Sequence, residues 1–300
     1  MDRRAGVVRA GGQARLGHMT DALRVMTFNI RGFYHQFDGP NAWAERATLN
    51  VETIRRQGAH LVGVQEAQTG NLKAYDRELP SYQWLAWPEY GNEKPYEWPL
   101  IMWRPARLRP LDSGGFWLSE TPEVHSRSWE TDNIRSCQWI RFRDLSSGVE
   151  FVHTNTHLDH RSARARAEGS RLILRRIAAE HAGAAVIATG DYNDVPGSET
   201  YRTWTTAGFR DAHVEAGASD GAEGSDEAME SYTNHGWAGY PFSREDDTPQ
   251  RIDWIMVRDG AGARVAVRSC EIVRDGGPVV WPSDHFPVVA GLELSTDATD

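Results

Sequence analysis

Short apolar runs alternate with polar stretches along the chain, and they fall into two periods. Leu23 to Ile30 sets Leu23, Val25, Thr27 and Asn29 against Arg24, Met26, Phe28 and Ile30, the period-two pattern of a strand. Residues 60–64, 99–103, 108–115, 136–143, 149–158, 184–188, 251–257, 263–273 and 288–294 read as further strands, with 136–143 and 149–158 joined as a hairpin through Ser146-Ser147-Gly148. Helical periodicity marks residues 42–57, closed by Gly58 with Ala47, Val51 and Ile54 on one face. It also marks residues 162–181, with Ala167, Leu174, Ile177 and Ala178 as the inner face and Arg residues outside. Residues 71–79, stopped by Pro80, and 198–206 read as shorter helices, while 213–231 and 240–250 read as surface loops, the first of them mobile. Consecutive antiparallel strands with inserted helices, no linker and no repeat favour one two-layered α/β domain.

Composition narrows the class. Three hundred residues, 40% hydrophobic and 25% charged, suit a soluble globular protein. No apolar stretch approaches the roughly 20 residues needed to cross a bilayer. Residues 1–18 are Arg- and Gly-rich and lack an apolar h-region, so a secretion signal is not expected, and Met19 is an alternative start. Residues 1–22 are expected to be a disordered extension, 23–294 the folded domain and 295–300 a tail. Cys137 and Cys270 are too few for a disulfide framework, which fits a cytoplasmic protein; a monomer is the expectation. A net charge of -9 argues against indiscriminate binding to a nucleic-acid backbone. Twelve Trp serve as packing or as stacking platforms.

The chemistry gathers where apolar runs end. Thr189-Gly190-Asp191-Tyr192-Asn193-Asp194 follows the run 184–188, and acceptors at i and i+2 of an extended segment share a face and can address one ligand or metal. Asp and Asn also make turns and caps. Asn29 at the end of the first strand is a turn former or a site residue. Glu66 emerges just beyond a buried strand, which is costly unless it pairs or binds a cation; metal ligand and helix N-terminal charge are its two readings. His157, Asp253, Asp284 and His285 complete the set. Oxygen ligands such as Glu66 and Asp284 suit Mg²⁺ or Mn²⁺ bridging to a phosphate. A His held by a carboxylate can orient or protonate, and Asn can stabilise charge growing on phosphoryl oxygens. Together this is the inventory of metal-assisted phosphoester hydrolysis.

Met26-Thr27-Phe28-Asn29-Ile30-Arg31, Gln65-Glu66, Thr156-His157-Leu158, Gly190-Asp191-Tyr192-Asn193, Arg251-Ile252-Asp253 and Ser283-Asp284-His285 resemble, in order, the motifs of the endonuclease/exonuclease/phosphatase superfamily. That superfamily includes deoxyribonuclease I, exonuclease III, neutral sphingomyelinases, inositol polyphosphate 5-phosphatases and the deadenylases. The resemblance spans residues 23–294 and implies one catalytic domain with a deoxyribonuclease I-like fold, a four-layered α/β sandwich of two packed, mainly antiparallel β-sheets flanked by helices. It implies Mg²⁺ or Mn²⁺ held by Glu66 with Asn29 and Asp284 nearby. Asp191 would orient or activate the attacking water and Asn193 would contact the phosphate. His285, polarised by Asp253, and His157, held by Glu97, would flank the scissile bond. Arg31, Arg135, Arg251 and Trp237 are candidates for substrate contact, with a structural ion pair as the alternative for Arg135 and Arg251. The segment 116–122 resembles one common in bacterial members of unassigned substrate.

The expected activity is hydrolysis of a small phosphorylated metabolite, sugar, lipid headgroup or nucleotide; a nuclease acting on DNA or RNA is the alternative. A catalytically silent binding protein is a weaker reading, since all the polar site residues are present. A metallo-β-lactamase-like zinc enzyme is another, because 154–160 nearly spells H-x-H-x-D-H. Asn155 replaces the first His there, and His153 lies about 13 Å from His157 on an extended strand, too far to share one zinc. The aromatic loops around Tyr96, Trp98, Trp237 and Trp281 favour a small phosphorylated substrate, and the long inserts 87–98 and 232–250 are expected to form the rim that selects it.

Overall fold

The computed structural model describes residues 22–33, 36–86, 97–221, 225–243, 249–277 and 280–296. The expected N-terminal extension, Tyr96 and most of the aromatic insert before Trp98 lie outside the described residues. In chain order the elements are β1 (Leu23–Asn29), α1 (Trp43–Gln57), β2 (Leu61–Ala67), α2 (Thr69–Glu78), β3 (Gln83–Leu85), β4 (Trp98–Trp103), β5 (Leu108–Trp117), β6 (Ser136–Asp144), β7 (Glu150–His157), α3 (Ala163–Glu180), β8 (Ala185–Asp191), α4 (Glu199–Thr206), β9 (Arg210–Asp211), α5 (Ala212–Glu215), α6 (Asp226–Ser231), β10 (Asp253–Arg258), β11 (Ala263–Ile272) and β12 (Val288–Thr296). They form two six-stranded sheets, ordered β11-β12-β1-β2-β4-β3 and β5-β6-β7-β8-β10-β9. Only the β1/β2 and β7/β8 pairs are parallel among the described ladders; the rest are antiparallel.

Strand alternation builds the layers. On β1, Leu23 and Val25 face the second sheet, while Met26 and Phe28 face the helices, because successive side chains point to opposite faces. The inter-sheet core adds Leu61 and Ile101 from the first sheet and Ile140, Phe151, Ile187 and Ile255 from the second. Val51 and Ile54 of α1 and Leu72 and Tyr75 of α2 cover the outer face of the first sheet. Leu172, Ile173 and Ile177 of α3 and Trp204 of α4 cover Val186, Ala188, Trp254 and Met256 on the second. The result is the four-layered α/β/β/α sandwich.

Helix boundaries follow their caps. Gly58 ends α1 in the left-handed conformation at φ 60°, and the Ser162 hydroxyl accepts from Ala165 N at the start of α3. The inner face of α3 is turned from the expected one: Leu172 and Ile173 are buried, while Ala178 is exposed. Burial of two larger aliphatic side chains outweighs that of one alanine methyl. The stretch 213–231 is not simply a loop, since it carries most of α5 and all of α6. Strands β3 and β9, of three and two residues, are too short to show a period and escape a sequence reading.

Towards one end, the gap between the sheets changes from apolar to polar. Gln65 Nε2 donates to Thr27 Oγ1 (3.1 Å) and Asn155 Oδ1 (2.7 Å), and Asn155 Nδ2 reaches across to the carbonyls of Val64 and Leu100, each at 2.9 Å. Thr189 Oγ1 donates to Asn155 Oδ1 (3.0 Å) and bonds His153 Nε2 (2.9 Å). Gly63 is required at this seam, because a Cβ there would lie 2.0 Å from Thr189 Oγ1. His153, buried and lowered to about 3 by that burial, is therefore a neutral part of the seam, and the zinc-motif reading of 154–160 loses its neighbour.

Candidate active site

The same inner face that is apolar in mid-sheet becomes polar at the strand ends, and those ends converge. Asn29 closes β1 in register with Gln65 of β2. His157 closes β7 opposite Asp191 of β8, which in turn faces Asp253 at the start of β10. Asp284 and His285 lie just before β12, which returns antiparallel beside β1. A cleft of about 600 Å³ opens over this convergence, lined in part by Arg31, Glu66, Asp191, Asn193, Asp284 and His285.

Three site residues occupy left-handed backbone that only glycine adopts without strain: Arg31 (φ 55°), Glu66 (φ 62°) and Asn193 (φ 49°). At Glu66 the cause is visible. The β2/β4 register shifts between Val64 and Ala67, a bulge that re-aims the side chain out of the strand pleat and towards the cleft.

Asn29 sits at the centre of the floor. Its Nδ2 donates to Glu66 Oε1 (3.0 Å) and Asp191 Oδ2 (2.9 Å), while its Oδ1 accepts from Arg31 N (3.0 Å). Asp191 Oδ1 accepts from Asn193 N (2.9 Å); its Oδ2 lies 3.4 Å from His157 Nε2 and 3.9 Å from His285 Nε2. Burial, reinforced by the Asp253 carboxylate, raises Asp191 to about 7. Burial also raises Asp284, with Glu66 adding to the push.

The two histidines are held in different states. His285 Nδ1 bonds Asp253 Oδ2 (2.9 Å), and its Nε2 bonds the Asn234 amide (2.8 Å). Burial opposes the imidazolium, but Asp253, Asp191 and Asp284 together raise it to about 10. The Asn234 atom facing Nε2 is Nδ2, so a ring protonated on both nitrogens requires that amide to be turned with its oxygen towards Nε2. His157 is the reverse: burial and then Arg135 hold it well below the usual imidazole value. Arg135 Nη1 bonds His157 Nδ1 at 3.0 Å, so His157 is neutral, with its remaining proton on Nε2, facing Asp191. Glu97 stands 3.9 Å from His157 Nδ1 and pairs with Arg135, which lies between them. Arg135, not Glu97, is the direct partner of His157.

The remaining predicted contacts divide. Arg31 lines the cleft, paired with Asp38 and 3.6 Å from Asp284. Arg251 does not: it is buried in an ion-pair cluster with Asp211 (2.7 Å) and Asp220. Trp237 also does not line the cleft; it packs with Tyr232, Trp281 and Phe286, and Arg46 stands 5.4 Å from its ring. Asn193 Nδ2 commits one hydrogen to Leu158 O (3.0 Å). Asn234 and Gln68, which the sequence reading missed, line the cleft. Asn234 lies between runs without period, so no local pattern marks it.

Arg46 is the least expected member. It is fully buried in α1 and donates to the carbonyls of Ile30 (2.7 Å), Arg31 (2.7 Å), Gly32 (3.0 Å), Asn41 (2.8 Å) and Pro282 (3.0 Å). One guanidinium thus ties the segment carrying Asn29 and Arg31 to the one carrying Asp284 and His285. Burial lowers it to about 10, which leaves it charged at neutral pH. Arg46→Met strands buried carbonyls on both segments, and a loss of about 3 kcal/mol in unfolding free energy is expected by urea titration.

The matched family model, described as Endonuclease/Exonuclease/phosphatase family, covers residues 26–285. The chain belongs to that family. No curated protein matches it significantly. Among solved structures it is similar to the endonuclease/exonuclease/phosphatase from Bacteroides vulgatus, with 30% identity and a TM-score of 0.78 over 91% of this chain and 99% of that one. It is also similar to the Bacteroides thetaiotaomicron mannosyl-6-phosphatase, with 25% identity and a TM-score of 0.77 over 91% of this chain and 100% of that one. D. rerio TDP2 complexed with a single-strand DNA product shares the fold at 16% identity, a TM-score of 0.69 and coverage of 91% and 99%. Members of the family are hydrolases of phosphoesters.

Family enzymes use divalent metals, and the donor set here fits one. Among the described residues, Glu66, Glu97 and His157 bring ligand atoms within 4.8 Å of one another, as do Asp191, Asp253 and His285. Asp284 belongs to neither set. Asp191, raised by burial and by Asp253, and Asp284, raised by burial and by Glu66, mark an excess of negative charge that a hard cation would offset, and oxygen donors suit Mg²⁺ or Mn²⁺. No described helix is long and apolar enough to cross a membrane.

Proposed function

We propose that this protein is a divalent-metal-dependent phosphoester hydrolase of a small phosphorylated metabolite, acting in the cytoplasm. The observation that carries the reading is the convergence of Asp191 Oδ2 with His157 Nε2 (3.4 Å) and His285 Nε2 (3.9 Å) on one cleft floor beside Glu66. Burial and Asp253 raise Asp191, and neighbouring carboxylates raise His285 against its burial, which leaves a carboxylate able to accept a proton beside an imidazolium that keeps its own.

Asp191 is near the pKa at which a carboxylate best accepts a proton from water at neutral pH. His285 holds its proton too firmly to be an efficient acid there; it serves as a fixed positive donor to a phosphoryl oxygen. His157 donates from Nε2, and Arg135 fixes its tautomer from behind. Asn193 offers its second Nδ2 hydrogen to the phosphate, and Arg31 supplies charge at the mouth. Glu66, with Asn29 beside it, would hold Mg²⁺ or Mn²⁺, which when bound polarises the phosphoryl group and neutralises developing charge.

A small substrate fits the charge of the cleft. The described lining holds Arg31, Arg127 and Arg135 against Glu66, Glu97, Asp132, Asp191 and Asp284, which is not the basic track that a long nucleic acid requires. The similarity to a mannosyl-6-phosphatase supports the same direction. The test compares small chromogenic phosphate mono- and diesters with single-stranded RNA and plasmid DNA, in Mg²⁺ or Mn²⁺ and in EDTA. Turnover of the small esters, lost in EDTA and restored by Mg²⁺, is expected; preferential cleavage of RNA or plasmid would make the protein a nuclease instead.

A further inference from the structure

One wall of the cleft is not used by the chemistry. Residues 118–135, between β5 and β6, bring His125, Arg127, Asp132 and Asn133 to the lining of the cleft that Asp191 and His285 also line. This loop is pinned throughout. Ser126 Oγ bonds Ser119 Oγ and Thr121 Oγ1, each at 2.7 Å, and Glu120 N donates to Ser128 Oγ (3.0 Å). Thr131 Oγ1 bonds Asn133 O (2.7 Å) and the buried Asp159, whose other oxygen accepts from Arg161 N and Ser162 N at the start of α3. Ser162 Oγ reaches back to Trp129 O (2.7 Å), so helix and loop brace each other. Trp129 and Glu130 both take left-handed backbone, at φ 57° and 64°, which persists only where the surroundings over-determine it. The Trp117 ring rests against His125 at 4.5 Å between centroids.

We infer that this loop is a preformed recognition wall for the organic half of the substrate, and that it selects a phosphorylated sugar or polyol. The inference rests on the phosphoester-hydrolase reading and names its substrate class. On this braced backbone, imidazole, guanidinium, carboxylate and carboxamide together offer donors and acceptors, which is what a row of hydroxyls, each both donor and acceptor, demands; Arg127 also donates to Asp132 O, and the Asp132 carboxylate pairs with Arg161. Ile134 is the one apolar side chain lining this cleft among the described residues, so that lining is polar, as a hydroxylated ligand requires. Bracing removes the ordering cost that a loose loop would charge against each weak hydroxyl contact.

The test measures kcat/KM for a hexose phosphate and for p-nitrophenyl phosphate, which carries no hydroxyls, in the wild type and in Arg127→Ala, Asn133→Ala and the double variant. Far-UV circular dichroism controls for folding. Loss of a hydroxyl partner should cost the hexose phosphate about tenfold per side chain, mostly in KM, with a clearly smaller loss on p-nitrophenyl phosphate. Equal losses on both substrates, or none on either, overturn the recognition wall while leaving the hydrolase reading intact. So does a wild type that turns over a dinucleotide faster than any sugar phosphate. A wild type that hydrolyses none of these esters in Mg²⁺ or Mn²⁺ overturns the hydrolase reading, and the inference falls with it.

Discussion

Asp191→Asn is expected to lower kcat by about 10³-fold, within the range found when a positioned general base is removed. Asparagine keeps the oxygen that accepts from Asn193 N, and the β8 backbone stays paired on both sides with β7 and β10, but its amide nitrogen replaces the oxygen that accepts from Asn29 Nδ2. The deficit combines the lost proton acceptor with that lost bond. A carboxyl raised to about 7 is protonated below that pH, so the wild-type rate falls as pH drops through it; a bound cation nearby moves this limb to lower pH. In the variant the limb disappears. Stability is a separate readout, because ionised Asp191 carries a burial cost at neutral pH while asparagine loses the buried bond from Asn29 and the carboxylate facing His285. Lost turnover with the fold retained by circular dichroism is the expected result, and an unchanged kcat would remove Asp191 from the base role.

Glu66→Gln is expected to weaken the apparent affinity for Mg²⁺ or Mn²⁺ by at least about 100-fold, more than the loss of an outer-shell partner causes. Glutamine is close in size, and the bulge that aims residue 66 is set by backbone register, so geometry is retained while the charge is lost. Calorimetric titration with Mn²⁺ reads the binding directly, and the metal dependence of the hydrolysis rate reads it again. An unchanged midpoint in both would assign the cation to another carboxylate set, such as Asp191 and Asp253.

Much of this site is legible in the sequence because it is built from strand ends. Asn29 finishes a strand visible as alternation, whereas His157 and Asp191 are visible as polar residues where apolar runs end. Glu66 is legible only as an anomaly; nothing in its neighbourhood announces the bulge that turns it. Arg46 is invisible for the opposite reason. It sits in an ordinary amphipathic helix, and its value comes from carbonyls up to 236 residues away, which periodicity does not register. Arg251 misleads because a buried Arg that balances Asp211 and Asp220 looks, in sequence, the same as one awaiting a phosphate. The recognition loop is missed because its order comes from short side-chain bonds within and beneath it.

The strand order of the sandwich sets a timetable for synthesis. The second sheet is drawn from one contiguous stretch, β5 to β10, whereas the first takes strands from both ends of the described chain. A growing polypeptide can close the second sheet while β1 still waits for β12, whose Leu292 pairs with Leu23. Loop closure of that length is slow and comes last. Asp284 and His285 arrive in the same late segment, so a nascent or prematurely terminated chain carries Glu66, His157 and Asp191 without the imidazolium that completes them. The cleft floor is therefore completed only once β12 has been made and has paired with β1.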